Sequence, residues 1–413
     1  MKILILLDDF PPVTYTGASI VAYNLAQGLL KKGHDIFVIT ATQDKDKAEE
    51  EEYNGLKIFR IYTNYHEHWQ AYSSLYNPQI IPKIEKIIKK IKPNICHFHH
   101  IHRCLSYYCF KIAKKYCPAV FLTAHDTMLF NYGKLFEFID LNNLSIPKTF
   151  NYRITSWQQI KRYKKRYNPL RNIIIKHYLK HIDKIFAVSY ALKDALNQNN
   201  IKNVEVIHNG MDIEKWQMEK RGIEEFQHKY NLKDKKVVLF GGRLSVLKGG
   251  NKIIKAMELV SEEISNAVLL VIGEKNVYAQ KMQELAKEKN VNLILAGWIN
   301  HHELKFAYFC SNIVVTPSFC LDTFNMINTE GMICRKPVVG TCFGGTPEIV
   351  LDNKTGYIVN PLNIELMAKK IIDLLKNPQK AKQFGEAGYQ RVKNNFSLKQ
   401  QVEQTLDWYE KFL

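Results

Sequence analysis

Two acidic residues stand eight apart, Asp322 and Glu330, in the stretch PSFCLDTFNMINTEGMICRKPVVGTCFGGTP that runs from Pro317 to Pro347. A carboxylate accepts paired hydrogen bonds, so Glu330 suits a ribose diol and Asp322 a sugar hydroxyl. On a helix eight residues rise about 12 Å, which makes the pair a ruler for an extended nucleotide-sugar. The short apolar strand Val338–Val339 follows, and then the turn Gly344-Gly345-Thr346 opens another helix. Backbone amides at such a start suit a phosphate. Upstream, Arg243 and Lys248 lie five residues apart in a glycine-flanked loop after a predicted strand. A guanidinium fork and a point charge converging there suit a diphosphate. Each feature also has a plainer structural reading: surface cations for the basic pair, a solvated helix face for Glu330, an N-cap acid for Asp322. No GxxxxGK[ST] loop and no GxGxxG occurs, which argues against a P-loop or a dinucleotide site.

A second group of reactive side chains sits in the first half. His97, His99, His100 and His102 lie between Cys96 and Cys104, a density that invites a metal. Consecutive strand residues point to opposite faces, so these neighbours are not expected to converge on one ion, and no metal site is assigned. His125 and Asp126 end the predicted strand Val120–Ala124, where His125 could hydrogen-bond a reacting sugar or simply be satisfied under a loop. Asp44-Lys45-Asp46 matches a DxD metal signature by letter, but it lies in the acidic run DKDKAEEEE with no strand before it.

The elements that must position these residues alternate in type. Lys2–Leu7 reads as a buried strand, Ile20–Leu30 as an apolar-periodic helix ended by Gly33, and His34–Thr40 as the next strand. Leu56–Ile61, Asn94–Phe98, Val120–Ala124, Lys184–Val188 and Val204–Ile207 follow as strands. Pro82–Ile91 and Leu105–Tyr116 read as helices, and residues 44–52 as a solvated excursion. The loop Thr16-Gly17-Ala18-Ser19 lies after a strand's C-terminal end, where open α/β sheets bind ligands. After a turn at 208–212 the pattern restarts with strands Val237–Phe240, Val268–Ile272, Asn292–Leu295 and Ile313–Thr316. It closes on a helix that puts Val402, Leu406, Tyr409 and Phe412 on one face. This implies two doubly wound, Rossmann-like α/β domains facing a cleft.

With 413 residues, 46% hydrophobic and 24% charged, the chain is an ordinary globular protein long enough for two cores. The apolar run Ile3–Leu7 is too short for a signal core or a membrane span, and the eight cysteines lack any CxxC pair. A cytoplasmic protein with reduced, buried thiols is expected. The net charge is +18, and residues 1–212 hold 30 Lys and Arg against 18 Asp and Glu. Residues 141–182 carry ten basic residues and no acidic one, with Tyr152, Trp157, Tyr163 and Tyr167 interleaved among Lys161, Arg162, Lys164, Lys165 and Arg166. Such a surface attracts anionic partners, although a lysine-rich composition with one solvated face gives the same pattern.

Taken together, GGRLSVLKG, DTFNMINTE, PVVGTCFGGTPEIV, TGYIV and GYQRVKNNFS resemble the retaining glycosyltransferases of family 4, which have the GT-B fold. The resemblance covers nearly the whole chain and is strongest from Val237 to Ser397. It implies that Arg243 and Lys248 hold the donor diphosphate, with Glu330 on the ribose. It places Gly242, Phe324, Asn325, Met326, Gly344, Gly345 and Thr346 around the donor. It also implies His125 by the donor sugar, and Gly17, Ala18 and His99 in the loops that serve the acceptor or a phosphate. Three positions depart from the family pattern: Asp322 replaces a Glu, Asn325 a Gly expected at positive φ, and Ala18 a Gly. Of these Asn tolerates positive φ best. The chemistry such a family uses is same-face attack, in which the leaving phosphate takes the acceptor's proton. Cations and a helix N-terminus stabilise the leaving diphosphate without a metal.

The sequence therefore leads to these expectations. Residues 1–210 form the acceptor-binding domain, with a basic insertion at about 127–182. Residues 211–396 form the nucleotide-sugar domain, and 397–413 a helix that returns to the first. The activity is retaining, metal-independent hexose transfer from a nucleoside-diphosphate sugar to a glycan or lipid-linked acceptor in surface polysaccharide synthesis. No cofactor and no nucleic acid is expected. An anionic membrane surface is a further partner through Lys161, Arg162, Lys164, Lys165 and Arg166, at the inner face of the membrane. The alternatives are a GT-B nucleotide-sugar epimerase, separated by acceptor dependence, and a basic nucleic-acid-binding protein, separated by salt-sensitive DNA or RNA binding.

Overall fold

The computed structural model describes every residue from Met1 to Leu413 except Arg243 and, within a helix, the side chain of His301. The chain divides into two compact units. The first comprises residues 1–135, 151–210 and 398–413, and the second residues 136–150 and 211–397.

The first unit is built on eight strands: β1 (Lys2–Leu6), β2 (Asp35–Thr42), β3 (Glu50–Tyr53), β4 (Leu56–Tyr62), β5 (Ile95–Phe98), β6 (Ala119–Ala124), β7 (Lys184–Ala187) and β8 (Val204–Val206). Their order is β3-β4-β2-β1-β5-β6-β7-β8, parallel except for the β3–β4 pair. The inner strands are apolar throughout because both faces of a parallel sheet are covered. Ile3, Ile5, Val38, Ile58, Phe121 and Phe186 form a core with Leu25 and Leu29 of the helix Gly17–Lys31 and with Val402 and Tyr409 of the helix Leu398–Glu410. Gly28 lets these two helices meet, since a Cβ there would stand 2.4 Å from Val402 Cγ2.

The second unit has six parallel strands: β9 (Lys236–Gly241), β10 (Ala267–Ile272), β11 (Leu293–Gly297), β12 (Ile313–Thr316), β13 (Val338–Thr341) and β14 (Gly356–Val359). They lie in the order β11-β10-β9-β12-β13-β14. Val238, Phe240, Leu269 and Val315 pack with Ile253, Met257, Met367 and Ile371 from the helices Gly250–Glu263 and Ile364–Lys376.

In each sheet one pair of neighbours marks a reversal. The chain leaves β1 toward β2 and returns to build outward from β5; it leaves β9 toward β10 and returns at β12. No crossover helix covers the space above such a pair, so the following loops form a crevice there, where open α/β sheets bind ligands.

Several elements depart from the sequence expectation. The acidic excursion contains a strand: Glu50–Tyr53 pairs antiparallel with β4, and Glu51 forms an ion pair with Arg60. A short charged edge strand of this kind blocks edge-to-edge association. The helix expected from Leu105 begins only at Cys109. Its would-be first amides are taken instead by the buried carboxylate of Asp8, which accepts from Arg103, Cys104 and Leu105 at 2.7, 2.9 and 2.6 Å. Part of the basic insertion, residues 136–150, belongs to the second unit. Phe138 and Phe150 pack on Phe343, and Asn360 Nδ2 donates to the carbonyls of Asn143 and Ser145, both at 2.8 Å.

His97 is buried at the centre of the first unit rather than lining a strand end. Its Nδ1 lies 2.6 Å from the Tyr409 hydroxyl and its Nε2 lies 2.8 Å from Thr123 Oγ1. Burial holds its pKa down at about 3, so the ring is neutral and one nitrogen donates while the other accepts. Tyr409→Phe leaves one buried nitrogen without its partner. It should destabilise the first unit by about 1–3 kcal/mol in urea unfolding with an unchanged m-value. A loss below about 0.3 kcal/mol would show the hydroxyl to be dispensable.

Candidate functional site

In the second unit the loops after β9 and β12 carry the charged residues. After β9 the backbone turns at Gly242 (φ +94°); Arg243 lies outside the described residues. Ser245 then caps the short turn Val246–Lys248, its Oγ accepting from the Lys248 amide at 3.3 Å. Gly249 (φ +79°) brings this loop against Pro317, whose carbonyl oxygen would lie 2.2 Å from a Cβ. That close approach joins the two loops above the strand reversal.

Lys248 Nζ donates to Asp322 Oδ2 at 2.5 Å. The same oxygen accepts from Ser318 Oγ at 2.9 Å and from Asn325 Nδ2 at 3.1 Å. The residue expected to hold the diphosphate and the one expected to hold the sugar are therefore ion-paired here. Gly344 (φ +71°) is required by the same turn: a Cβ there would stand 2.3 Å from the Asp322 carbonyl oxygen. Gly345 donates its amide to that carbonyl at 2.8 Å, which removes it from the groups expected to hold phosphate. No such bond engages the amides of Gly344 and Thr346 among the described residues.

The helical ruler is corrected. The helix is Met326–Ile333, so only Glu330 lies on it, and Asp322 sits in the turn before. Asn325, not Asp322, is the N-cap, accepting from Ile327 N at 3.2 Å. Its φ is −79°, so the position makes no demand for positive φ. Asn caps well, and that is why it serves here. Phe324 is buried with its ring 5.8 Å from that of Phe396.

Glu330 is half-buried, and Tyr308 donates its hydroxyl to Glu330 Oε2 at 2.5 Å. Burial pushes the Glu330 carboxyl up to about 7, with the Tyr308 bond working against that rise. Tyr308 was invisible in the sequence because it lies on a separate helix, His301–Cys310. Asn328 carried no sequence signal either. It is fully buried, accepts from Thr316 Oγ1 at 2.8 Å and donates to Thr346 Oγ1 at 3.2 Å, tying β12 to the glycine turn.

In the first unit the reversal between β1 and β5 gathers a second polar set. Gly17 is exposed at the start of its helix, with nothing within 4 Å of where a Cβ would stand, and Ala18 follows it. Thr16 and Ser19 close a reciprocal capping box around them. His99 is buried, with its Nδ1 2.9 Å from His125 Nε2 and the rings stacked at 23°. His99 thus backs His125 through this contact. Burial lowers the pKa of both, so at neutral pH they form a neutral pair sharing one proton. Beyond the strand, His100 and His102 do converge, and Asp126 meets them: their donor atoms all lie within 4.8 Å of one another. Strand alternation does not govern them, because β5 ends at Phe98.

Glu330 generates a pH dependence. Its folded pKa is raised above the usual carboxylate value, so its contribution to stability is present below about pH 4.5 and is lost as pH rises through about 7. Stability of the wild type relative to Glu330→Gln should therefore decline over that window in denaturant titrations. Tyr308→Phe, which removes the stabilising donor, should carry the decline to higher pH. A flat difference from pH 4.5 to 8 would contradict the burial-driven shift.

Residues 222–391 match the family described as Glycosyl transferases group 1, and residues 15–215 match Glycosyltransferase Family 4. An uncharacterized glycosyltransferase of Methanocaldococcus jannaschii is 24% identical over 374 residues, covering 89% of this chain and 87% of that protein. A capsular polysaccharide biosynthesis glycosyltransferase of Staphylococcus aureus is 28% identical over 239 residues, 55% of this chain and 62% of its own. Apart from the first of these two, the curated relatives compared are spanned over 44% to 62% of their length. Anabaena HepE, solved in complex with UDP and glucose, superposes with a TM-score of 0.73 at 15% identity, each chain covered completely. The chain thus joins two glycosyltransferase-type domains on the GT-B fold, the first matching the Glycosyltransferase Family 4 description and the second that of Glycosyl transferases group 1.

Proposed function

We propose that the protein transfers a hexose from a nucleoside-diphosphate sugar to a glycan or lipid-linked acceptor in surface polysaccharide synthesis, with retention and without a metal in the reaction. The observation that carries this reading is the Lys248–Asp322 pair above the reversal of β9 and β12. A cation already held by one carboxylate is poised to exchange it for the growing charge of a departing diphosphate. Arg243 is assigned the same task. Glu330, once ionised, is assigned the ribose, and the amides of Gly344 and Thr346 the phosphates. Supporting this are a structural neighbour that binds UDP and glucose and a relative named for capsular polysaccharide synthesis. In the first unit, His125 is proposed as a neutral hydrogen-bonding group for the reacting sugar, and Gly17 and Ala18 for the acceptor side. The acceptor's proton leaves on the departing phosphate, so no enzymic base is required.

Arg243→Ala and Lys248→Ala should each lose at least about 10²-fold in kcat, and turnover should need no added Mg²⁺ or Mn²⁺. Glu330→Gln should weaken free nucleoside diphosphate and complete donor alike. Asp322→Ala releases Lys248, so it should spare or tighten the nucleoside diphosphate while weakening discrimination of the sugar. Equal effects of both carboxylate variants on both ligands, or product formation without an acceptor, would overturn the assignment.

We also propose that the first unit docks on anionic lipid through residues 151–182. The specific observation is exposed apolar surface amid cations: Trp157, Leu170 and Ile173 are 73%, 59% and 68% exposed beside exposed Lys161, Lys164, Lys165 and Arg166. Arg162 contributes less, since its Nη1 donates to the Lys134 carbonyl at 3.1 Å, and Tyr152 and Tyr167 are buried. Among the described residues no helix is long and apolar enough to cross a membrane. Rings and stems of this kind seat at headgroup level, each cation adding about 1 kcal/mol. Co-sedimentation should require anionic vesicles, fall with added salt, and drop when Trp157 becomes Ala or the four lysines and arginines become Gln. Wild type remaining in the supernatant at low salt would exclude docking.

A further inference from the structure

We propose that the first unit holds one divalent transition-metal ion of the zinc class between the imidazoles of His100 and His102 and the carboxylate of Asp126. The two His Nε2 atoms each lie 3.6 Å from Asp126 Oδ2. That is too long for a hydrogen bond. It fits the edge of a tetrahedron whose ligands stand about 2.0–2.2 Å from a central ion, roughly 3.3–3.6 Å apart. The three donor atoms lie within 4.8 Å of one another, close enough for a small adjustment of the two rings to bring them to one ion.

The surroundings place two of the three ligands. Asp126 Oδ1 accepts from the Met128 amide at 2.8 Å, which leaves Oδ2 facing the imidazoles. His100 Nδ1, on the far side of its ring, lies 3.5 Å from Asp8 Oδ2. Asp8 is itself fully buried and fixed by three backbone amides. At this distance Asp8 acts on the ring as a nearby negative charge, which favours a cation bound on its other side. A cavity of about 20 Å³ adjoins the cluster, lined by His99, His100, His102, His125 and Asp126. It suffices for one ion or one water. His99, a lining residue of this cavity, carries a buried Nε2 without a hydrogen-bond partner among the described residues. Asp126 remains 39% exposed, which provides an entry path.

Two imidazoles and one carboxylate favour Zn²⁺ or Co²⁺ over the all-oxygen shells of Mg²⁺ and Ca²⁺. The site lies in the first unit, beside the cavity that His125 also lines, and its ligands are none of the residues assigned to the diphosphate. Its occupancy is therefore read without turnover. The competing account is a metal-free ion pair, with His100 protonated between Asp8 and Asp126.

The test is titration of the chelator-treated, dialysed full chain with Zn²⁺ by calorimetry and with Co²⁺ by visible absorption. One ion per chain should bind with a dissociation constant below about 1 µM, and Co²⁺ should show the intense bands of a four-coordinate site. His102→Gln and Asp126→Asn should each weaken binding about 10–100-fold. X-ray absorption of the zinc-loaded wild type should show nitrogen and oxygen ligands only, a result that does not depend on either variant folding. No saturable Zn²⁺ binding below about 100 µM, sulfur in the coordination shell, or wild-type affinity in both variants would overturn the proposal.

Discussion

The reversal of strand order in each sheet is the constraint on which the polar chemistry depends. A parallel strand must be followed by a crossover, and crossovers from neighbouring strands normally cover each other's ends. Only where the chain sets off to opposite sides do two loops face one another uncovered. The pairs are β1 with β5 and β9 with β12, and their loops carry Asp8 with His100 and Lys248 with Asp322. Charge collects there because it finds both solvent and partners, while the strands beneath stay apolar.

The two units use this opportunity differently. In the second, opposite charges are few and met by glycines, so backbone and cation can both approach an anionic ligand. In the first, burial keeps His97, His99, His102 and His125 neutral. Burial also pulls His100 down, yet Asp8, Asp126 and Asp9 together outweigh it and raise that pKa instead. A cluster of largely neutral rings beside fixed carboxylates orients hydrogen bonds without carrying much net charge.

The fold was legible because its signal is periodic. Every inner strand of both sheets reads as a short apolar run, and the helices between them show one buried face. What failed to show was whatever depends on contacts distant in sequence. Asp8 holds Leu105, 97 residues away, out of a helix; Tyr308 reaches Glu330 from another helix; and Phe343 draws residues 136–150 into the second unit. Local patterns mislead where a side chain replaces a backbone partner. Asn325 reads as a residue for positive φ, yet its amide oxygen caps a helix, and His100 with His102 lie beyond the end of the strand their pattern suggests. Glu51 hides an edge strand inside an acidic run, since charge is used there to refuse further pairing.

Neither unit is a continuous stretch of chain, and this has a consequence for synthesis. Residues 1–135 emerge from a ribosome long before the helix Leu398–Glu410 that places fully buried Tyr409 against His97 and Phe121. Until then the first sheet presents an aromatic face with a buried-type histidine at its centre. The second unit likewise waits for Asn360 and Phe343 before residues 136–150 have anything to hold. The early segments must therefore stay soluble while incomplete. The dense lysines and arginines of residues 141–182 give the nascent chain a self-repelling charge during that interval.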